Sequence, residues 1–152
     1  MIARVHRFLV ALFLCVSLHA EQVRVPGLEQ PVEVLRDRWG VPHIYAKNTH
    51  DLFFAQGYIT ATDRLWQIDM WRRVGTGKLA EVLGPSAIRR DQLARAVQYR
   101  GDWDSEWKSY GLDTKAITIA FTDGINAYIR SLKGERPLEF RLAGYDHSPG
   151  PL

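Results

Sequence analysis

The 152-residue sequence predicts an α+β chain in which an N-terminal β-hairpin precedes a mainly helical segment. Two observations predict it. Residues 32–46 hold two short strand-like runs around a turn tetrapeptide, and from Asp51 onward the apolar spacing lengthens to a helical period. With 46% hydrophobic and 24% charged residues, the composition is that of a folded domain with a core, not of a disordered or collagen-like chain. The length suits one ordinary domain and is too short for two of average size.

Pro26-Gly27 and Pro31 punctuate a short entry segment. Val32-Glu33-Val34-Leu35-Arg36 then forms a strand, with Val41-Pro42-His43-Ile44-Tyr45-Ala46 as its partner. Between them Asp37-Arg38-Trp39-Gly40 has Asp first and Gly last, as a type I turn prefers. Pro42 fits near the start of an edge strand, where a missing N–H costs least. Two strands with open edges do not make a stable sheet alone, so the hairpin is expected to dock on sheet supplied from outside these residues.

A helix is expected over Asp51 to about Val74, with Asn48 or Thr49 as cap and Asp51 complementing the dipole. Leu52, Ala55, Ile59, Trp66 and Met70 mark one side; Phe54, Tyr58, Ala61, Leu65 and Ile68 mark another. So wide an apolar band belongs to a helix packed on more than one side. Arg72 and Arg73 close the last turn, Gly75 and Gly77 stop it, and Lys78 to Leu83 is a further short turn ending at Gly84-Pro85. Ile88 to Tyr99 is a helix with Ile88, Leu93, Ala96 and Val97 as its apolar set. Trp103 and Trp107, four apart, are expected to stack on a short helix after Asp102. Asp113 can cap a last helix to about Leu132, with Ile117, Ala120, Phe121, Gly124, Tyr128 and Leu132 inward and Gly134 as its stop. The helical segment is thus set at residues 50–132. The remainder, residues 133–152 with Pro137, Gly144, Pro149, Gly150 and Pro151, is expected to be an extended tail.

Residues 1–20 have the three parts of a secretory signal peptide: a basic start at Arg4, His6 and Arg7, an apolar run from Phe8 to Leu18, and a small residue, Ala20, for cleavage. The run of eleven is well short of the ~20 residues that span a bilayer. Leu18 fits poorly three places before the cut, which leaves the cleavage point open, and Leu14 is too bulky before Cys15 for a lipoprotein anchor. The expected destination is the periplasm or the exterior, with residues 21–152 as the mature domain and no membrane contact once the leader is removed.

Charge narrows the partners. Twenty Lys+Arg against seventeen Asp+Glu gives +3, and without Arg4 and Arg7 the count is 18 against 17. That balance excludes a nucleic-acid binder working by bulk positive charge. Cys15 is the only cysteine, so the mature chain has no disulfide framework, Cys-ligated metal site or thiol nucleophile.

Each candidate chemical group also has a structural role open to it. Asp63-Arg64 could position a substrate, but ion pairs that lock one helix to another are the favoured role. Asp69, Arg72 and Arg73 have the spacing of a surface ladder. His43, His50 and His147 show no zinc-binding spacing, and His43, after a proline in a strand, reads as a packed or half-exposed residue rather than a base. His147-Ser148 places a nucleophile beside a base, without an acid partner. Gly75 and Gly77 match no phosphate-cradling pattern. Arg89, Arg90, Arg95 and Arg100, with Asp91 nearby, form a solvated helix face. Phe53, Phe54, Tyr58, Trp66 and Trp71 are core residues that could also line an apolar pocket. On residues alone, no catalytic, substrate-binding, cofactor-binding or metal residue is assigned.

Several blocks resemble the N-terminal part of the penicillin acylase (penicillin amidase) family. They are Arg36-Asp37-Arg38-Trp39-Gly40-Val41-Pro42-His43-Ile44-Tyr45-Ala46, Ala55-Gln56-Gly57-Tyr58, Ala61-Thr62-Asp63-Arg64-Leu65-Trp66-Gln67-Ile68-Asp69-Met70 and, after Arg72-Arg73, Gly77-Lys78-Leu79-Ala80-Glu81-Val82-Leu83-Gly84. Weaker matches follow at Thr122-Asp123-Gly124-Ile125-Asn126-Ala127-Tyr128, Pro137-Leu138-Glu139-Phe140 and Gly144-Tyr145.

The resemblance implies a fragment of an αββα N-terminal nucleophile hydrolase. Such enzymes are exported precursors that cut themselves into a smaller α and a larger β chain. The serine heading the β chain attacks an amide carbonyl, with its own α-amino group as base. Family substrates are penicillins, cephalosporins or acyl-homoserine lactones, and several members carry calcium. None of the serines at 17, 86, 105, 109, 131 and 148 stands in the family's processing setting, the calcium and acyl-pocket positions align beyond Leu152, and Asp146 to Leu152 departs from the family's Trp-containing segment. The resemblance therefore implies a chain that lacks the nucleophile and is inactive alone. Its partners are then the rest of the α chain, the β chain and, in the complete enzyme, a small N-acyl substrate. Two rivals stay open: a stand-alone secreted helical protein that binds an apolar ligand or partner, and a vestigial truncated product.

Overall fold

A computed structural model describes residues 22–135 and 137–144. The expected signal peptide at 1–20, with Cys15, and the His147-Ser148 pair lie outside the described residues.

Strands β1 (Glu33–Arg36) and β2 (Pro42–Tyr45) pair antiparallel, with Val34 opposite Ile44 and Leu35 opposite His43. The turn between them closes as the sequence predicts. The Gly40 amide donates to the Asp37 carbonyl at 2.9 Å, and the Asp37 carboxylate accepts the amides of Trp39 and Val41 at 2.8 and 3.0 Å. Gly40, at φ +79°, takes the left-handed conformation that ends such a turn. Val34 and Ile44 are half-buried, while Leu35, Val41 and Tyr45 are exposed.

Helix α1 (Thr49–Thr76) extends the expected helix by two residues at each end and contains a break. Arg64, at φ −144° and ψ 29°, leaves the helical region. In the turn before it the hydroxyls of Thr60 and Thr62 donate to the carbonyls of Gln56 and Tyr58, four residues back, a bond pattern that bends helices. Gly77, at φ +65°, ends α1, and its amide and that of Lys78 take up the last carbonyls.

After α1 the chain runs through α2 (Ala80–Leu83), a 3₁₀ turn (Pro85–Ala87), α3 (Ile88–Val97) and α4 (Trp103–Trp107) to α5 (Thr114–Ser131). Helix α5 lies along α1 and makes the core. Ala61 and Leu65 of α1 and Ile125 of α5 are buried together, with Phe121, Tyr128 and Ile129 packed against them. Tyr58 meets Tyr128 edge to face at 5.5 Å. The two helices touch backbone to backbone at two glycines. A Cβ on Gly57 would overlap the carbonyl of Phe121, and one on Gly124 would overlap the carbonyl of Phe54.

Three expectations need correction. Residues 133–152 are not wholly an extended tail: Leu138–Leu142 form α6, and Phe140 is buried against Trp66 with ring centroids 5.0 Å apart. An aromatic that completes the core recruits a helical turn despite flanking Pro137 and Gly144. The apolar set of α3 does not face inward: Ile88, Leu93 and Val97 are exposed, and Asp91 is buried instead. Its carboxylate accepts the amides of Leu79 and Ala80 at 2.9 and 2.7 Å, so satisfying the start of α2 decides which way α3 turns. Trp103 and Trp107 do not stack on each other; Trp103 packs on Tyr99 and Trp107 on Tyr110.

Candidate functional site

The chemistry-bearing side chains gather in three clamps along α1. The first holds the entry segment. Asp51, fully buried in the first turn of α1, accepts the amides of Glu29 and Gln30, each at 2.9 Å. Asn48 donates to the same carboxylate at 2.9 Å and accepts the Asp51 amide, and His50 Nδ1 lies 3.1 Å from Asp51 Oδ1. Burial alone would raise the Asp51 pKa, but the Glu29 amide, His50, Asn48 and the Gln30 amide outweigh it and hold the carboxyl below its usual value.

A group with a lowered folded pKa stabilises the fold above its unfolded pKa, and loses that contribution as pH falls through the folded value. The Asp51 clamp is therefore expected to be at full strength above about pH 4 and to release the entry segment below it. Asp51→Asn should be less stable than the wild type at neutral pH, and the gap should narrow as acid is added. Parallel acid titrations followed by circular dichroism check this; a constant gap would contradict it.

The second clamp joins hairpin to helix. Arg36 spans the turn, donating to the Gly40 carbonyl at 2.9 Å and to Asp63 Oδ1 at 2.7 Å. Asp63 thus locks a strand to α1 rather than one helix to another, and Arg64 turns outward with Gln67 Oε1 at 3.3 Å. With both partners more than a third exposed, the Arg36–Asp63 pair contributes at most about 1 kcal/mol and serves mainly to set the hairpin's angle.

The third clamp was expected as a surface ladder and is interior. Asp69 and Arg73 are buried, 3% and 5% exposed. Asp69 accepts from Arg72 at 2.6 Å and from Arg73 at 2.8 Å, and Arg73 continues to Glu81 at 2.8 Å. Burial opposes the Arg73 charge, but Asp69 and Glu81 overcome that and raise its pKa. The spacing did predict the bonds. The return of residues 77–81 over the helix, which buries them, has no local signature.

The remaining candidates are dispersed. His43 is half-exposed on β2, with Nε2 3.5 Å from Asp37. Gly75 lies inside α1 and Gly77 caps it. Arg89 and Arg90 are solvated, but Arg95 Nε donates to the Gly77 carbonyl at 2.8 Å and Arg100 to the Arg95 carbonyl. Phe54 and Trp66 belong to the core, Phe53 is half-buried, and Trp71 is exposed. Phe54 and Tyr58 also border an apolar cavity of about 230 Å³ with Val23, Val25, Leu28 and Ile59.

The hydroxyls of Thr60, Thr62, Thr76, Ser86, Ser109, Thr118 and Ser131 donate to main-chain carbonyls, none of them to a histidine. Among the described residues the buried charged groups, Asp51, Asp69, Arg73 and Asp91, are tied to one another or to backbone and polar side chains, an arrangement suited to holding the chain rather than to moving protons. One trio, Glu29, His50 and Asp51, brings possible metal ligands within 4.8 Å. It does not fit calcium, which takes six to eight oxygens: one member offers nitrogen, and the Asp51 lone pairs already accept four donors.

The sequence passed over Asp91 and Glu81 as clamp residues and assigned Asp51 only to the helix dipole. Asn48 carried the signal of a helix cap, and its side chain both accepts the Asp51 amide and donates to the Asp51 carboxylate.

Comparison with known proteins places this arrangement. The penicillin amidase family model matches residues 31–151. The chain is 36% identical over 125 residues to the penicillin acylase 2 proenzyme of Pseudomonas sp. strain SE83, covering 82% of this chain and 16% of that protein. It is 31% identical over 121 residues to the acyl-homoserine lactone acylase QuiP of Pseudomonas aeruginosa, covering 80% of this chain and 14% of that protein. Among solved structures it is similar to a thermostable penicillin G acylase from Alcaligenes faecalis, with TM-score 0.70 and 34% identity, covering 81% of this chain and 66% of that one. The chain thus spans about a sixth of the length of these curated relatives. No helix among the described residues is long and apolar enough to cross a membrane. From the matched span and the shared hairpin-and-helix architecture, the chain belongs to the penicillin amidase family.

Proposed function

We propose that this chain is the N-terminal part of an exported amidohydrolase precursor, that it buttresses the catalytic sheet, and that it is inactive alone. The observation that carries the proposal is the hairpin. One face of the two-stranded sheet packs toward α1, while the other leaves Leu35 and Tyr45 exposed, a face and open edges that further strands of a larger sheet would cover. The Arg36–Asp63 clamp sets its angle on α1 for receiving them.

In the complete enzyme the reaction is hydrolysis of an N-acyl amide, the bond shared by penicillins and acyl-homoserine lactones. The serine oxygen at the head of the following chain adds to the carbonyl. Its α-amino group, with a pKa near ~8, takes the hydroxyl proton and passes it to the departing amine. Main-chain and Asn donors hold the oxyanion, and water then cleaves the acyl ester. This chain's residues keep the support in place and take no part in those bond changes.

Expression of the 152-residue chain with its leader tests the proposal. No turnover of a penicillin or an acyl-homoserine lactone is expected, and a processed product starting near Glu21 should appear in the periplasm. Turnover at an intact-enzyme rate refutes the inactivity; an unprocessed product held in the cytoplasm refutes the export.

A further inference from the structure

One surface of α1, beside the Arg36–Asp63 clamp and over the edge of the core at Ile68, is left open. Thr60, Arg64, Gln67 and Trp71 border one hollow that runs across the break at Arg64, which places them along one stripe. Two adjoining hollows share Thr60 and Arg64. One is bordered by Trp39, Val41, Pro42 and Ile59, and the other by Ile68 and Trp71. Trp39 is 76% exposed and Trp71 64%. The Arg64 cation thus sits between the exposed Trp71 indole and a Trp39 indole that carries the Arg38 guanidinium over its ring, 4.7 Å from the centroid, above an aliphatic floor. Trp and Arg are the residue types in which interface energy concentrates.

Among the described residues the charge at the centre has no carboxylate partner: Asp63 beside it is engaged by Arg36 at 2.7 Å, and the Arg64 guanidinium donates to Gln67 at 3.3 Å. The chain spans 16% of the penicillin acylase 2 proenzyme it matches, so most of such a polypeptide is available to cover the stripe. We infer that the stripe from Trp39 through Arg64 to Trp71 is an interface with the remainder of the precursor, where Arg64 meets a carboxylate. This rests on the proposed place of the chain in a larger amidohydrolase.

The test co-expresses the tagged 152-residue chain with the downstream portion of the penicillin acylase 2 proenzyme and measures the partner recovered. Wild type and the control Arg89→Glu, exposed on α3, should recover it equally. Arg64→Glu and Trp71→Ala should each lower recovery about tenfold or more, with unchanged circular dichroism. Arg64→Lys should retain more partner than Arg64→Met. Equal recovery by all variants overturns the inference, as does no capture by the wild type, or a dimer of the chain that Arg64→Glu dissolves. Arg64-dependent capture in a complex that hydrolyses no amide keeps the interface and removes the activity. Hydrolysis with full capture by Arg64→Glu does the reverse.

Discussion

Gly124→Ala is expected to destabilise the chain by about 3 kcal/mol, the upper end of what an added methyl costs in a packed interior. The new Cβ would overlap the Phe54 carbonyl and press on the backbone of Tyr58. A flexible side chain could rotate away; a helix backbone cannot, so α5 must shift off α1. Ala61, Leu65, Ile125 and Phe140 would lose contact with one another as it does. For a chain of this size the melting temperature should fall by roughly 6–12 °C, read by thermal circular dichroism. Gly57→Ala meets the Phe121 carbonyl at the same crossing, so the double variant should cost less than the sum of the two. Additive effects would mean that the glycines act separately and not through one helix approach.

Asp69→Ala should cost about 3–5 kcal/mol, as breaking a buried ion pair does. It strips Arg73, 5% exposed, of its buried partner and leaves it only Glu81, half in water. Arg72 also loses its acceptor but reaches solvent more readily. Glu81→Gln, at the wet end of the same chain of bonds, should cost less than about 1 kcal/mol. The cycle with Arg73→Met separates the pair from general disruption. Once the buried cation is gone, Asp69→Ala should be much milder. Thermal melts of the four proteins decide it, and equal losses in both backgrounds would contradict a shared clamp.

Local chemistry made much of this fold legible. Asp37 and Gly40 announced the turn, Asn48 the start of α1 and Gly77 its end, because each answers to backbone atoms a few residues away. Helix α6 escaped because Phe140 is ordered by Trp66, which its own flanking proline and glycine do not foretell. The orientation of α3 escaped for a similar reason. Apolar periodicity pointed Leu93 and Val97 inward, but Asp91 turned the helix to satisfy amides twelve and eleven residues upstream. The clamp residues were less legible still. Asp69 and Arg73 declared their spacing but not their burial, and Arg36–Asp63 joins residues 27 apart.

The glycine contact between α1 and α5 also bears on the order of events during synthesis. Gly57 leaves the ribosome well before Phe121 and Gly124, so the long helix is made without the surface that fixes it. Contacts between such distant positions close slowly. Until α5 emerges, α1 is held by its cap and its three clamps but lacks the helix face that completes the core, so Ala61 and Leu65 stay open to solvent and to chaperones.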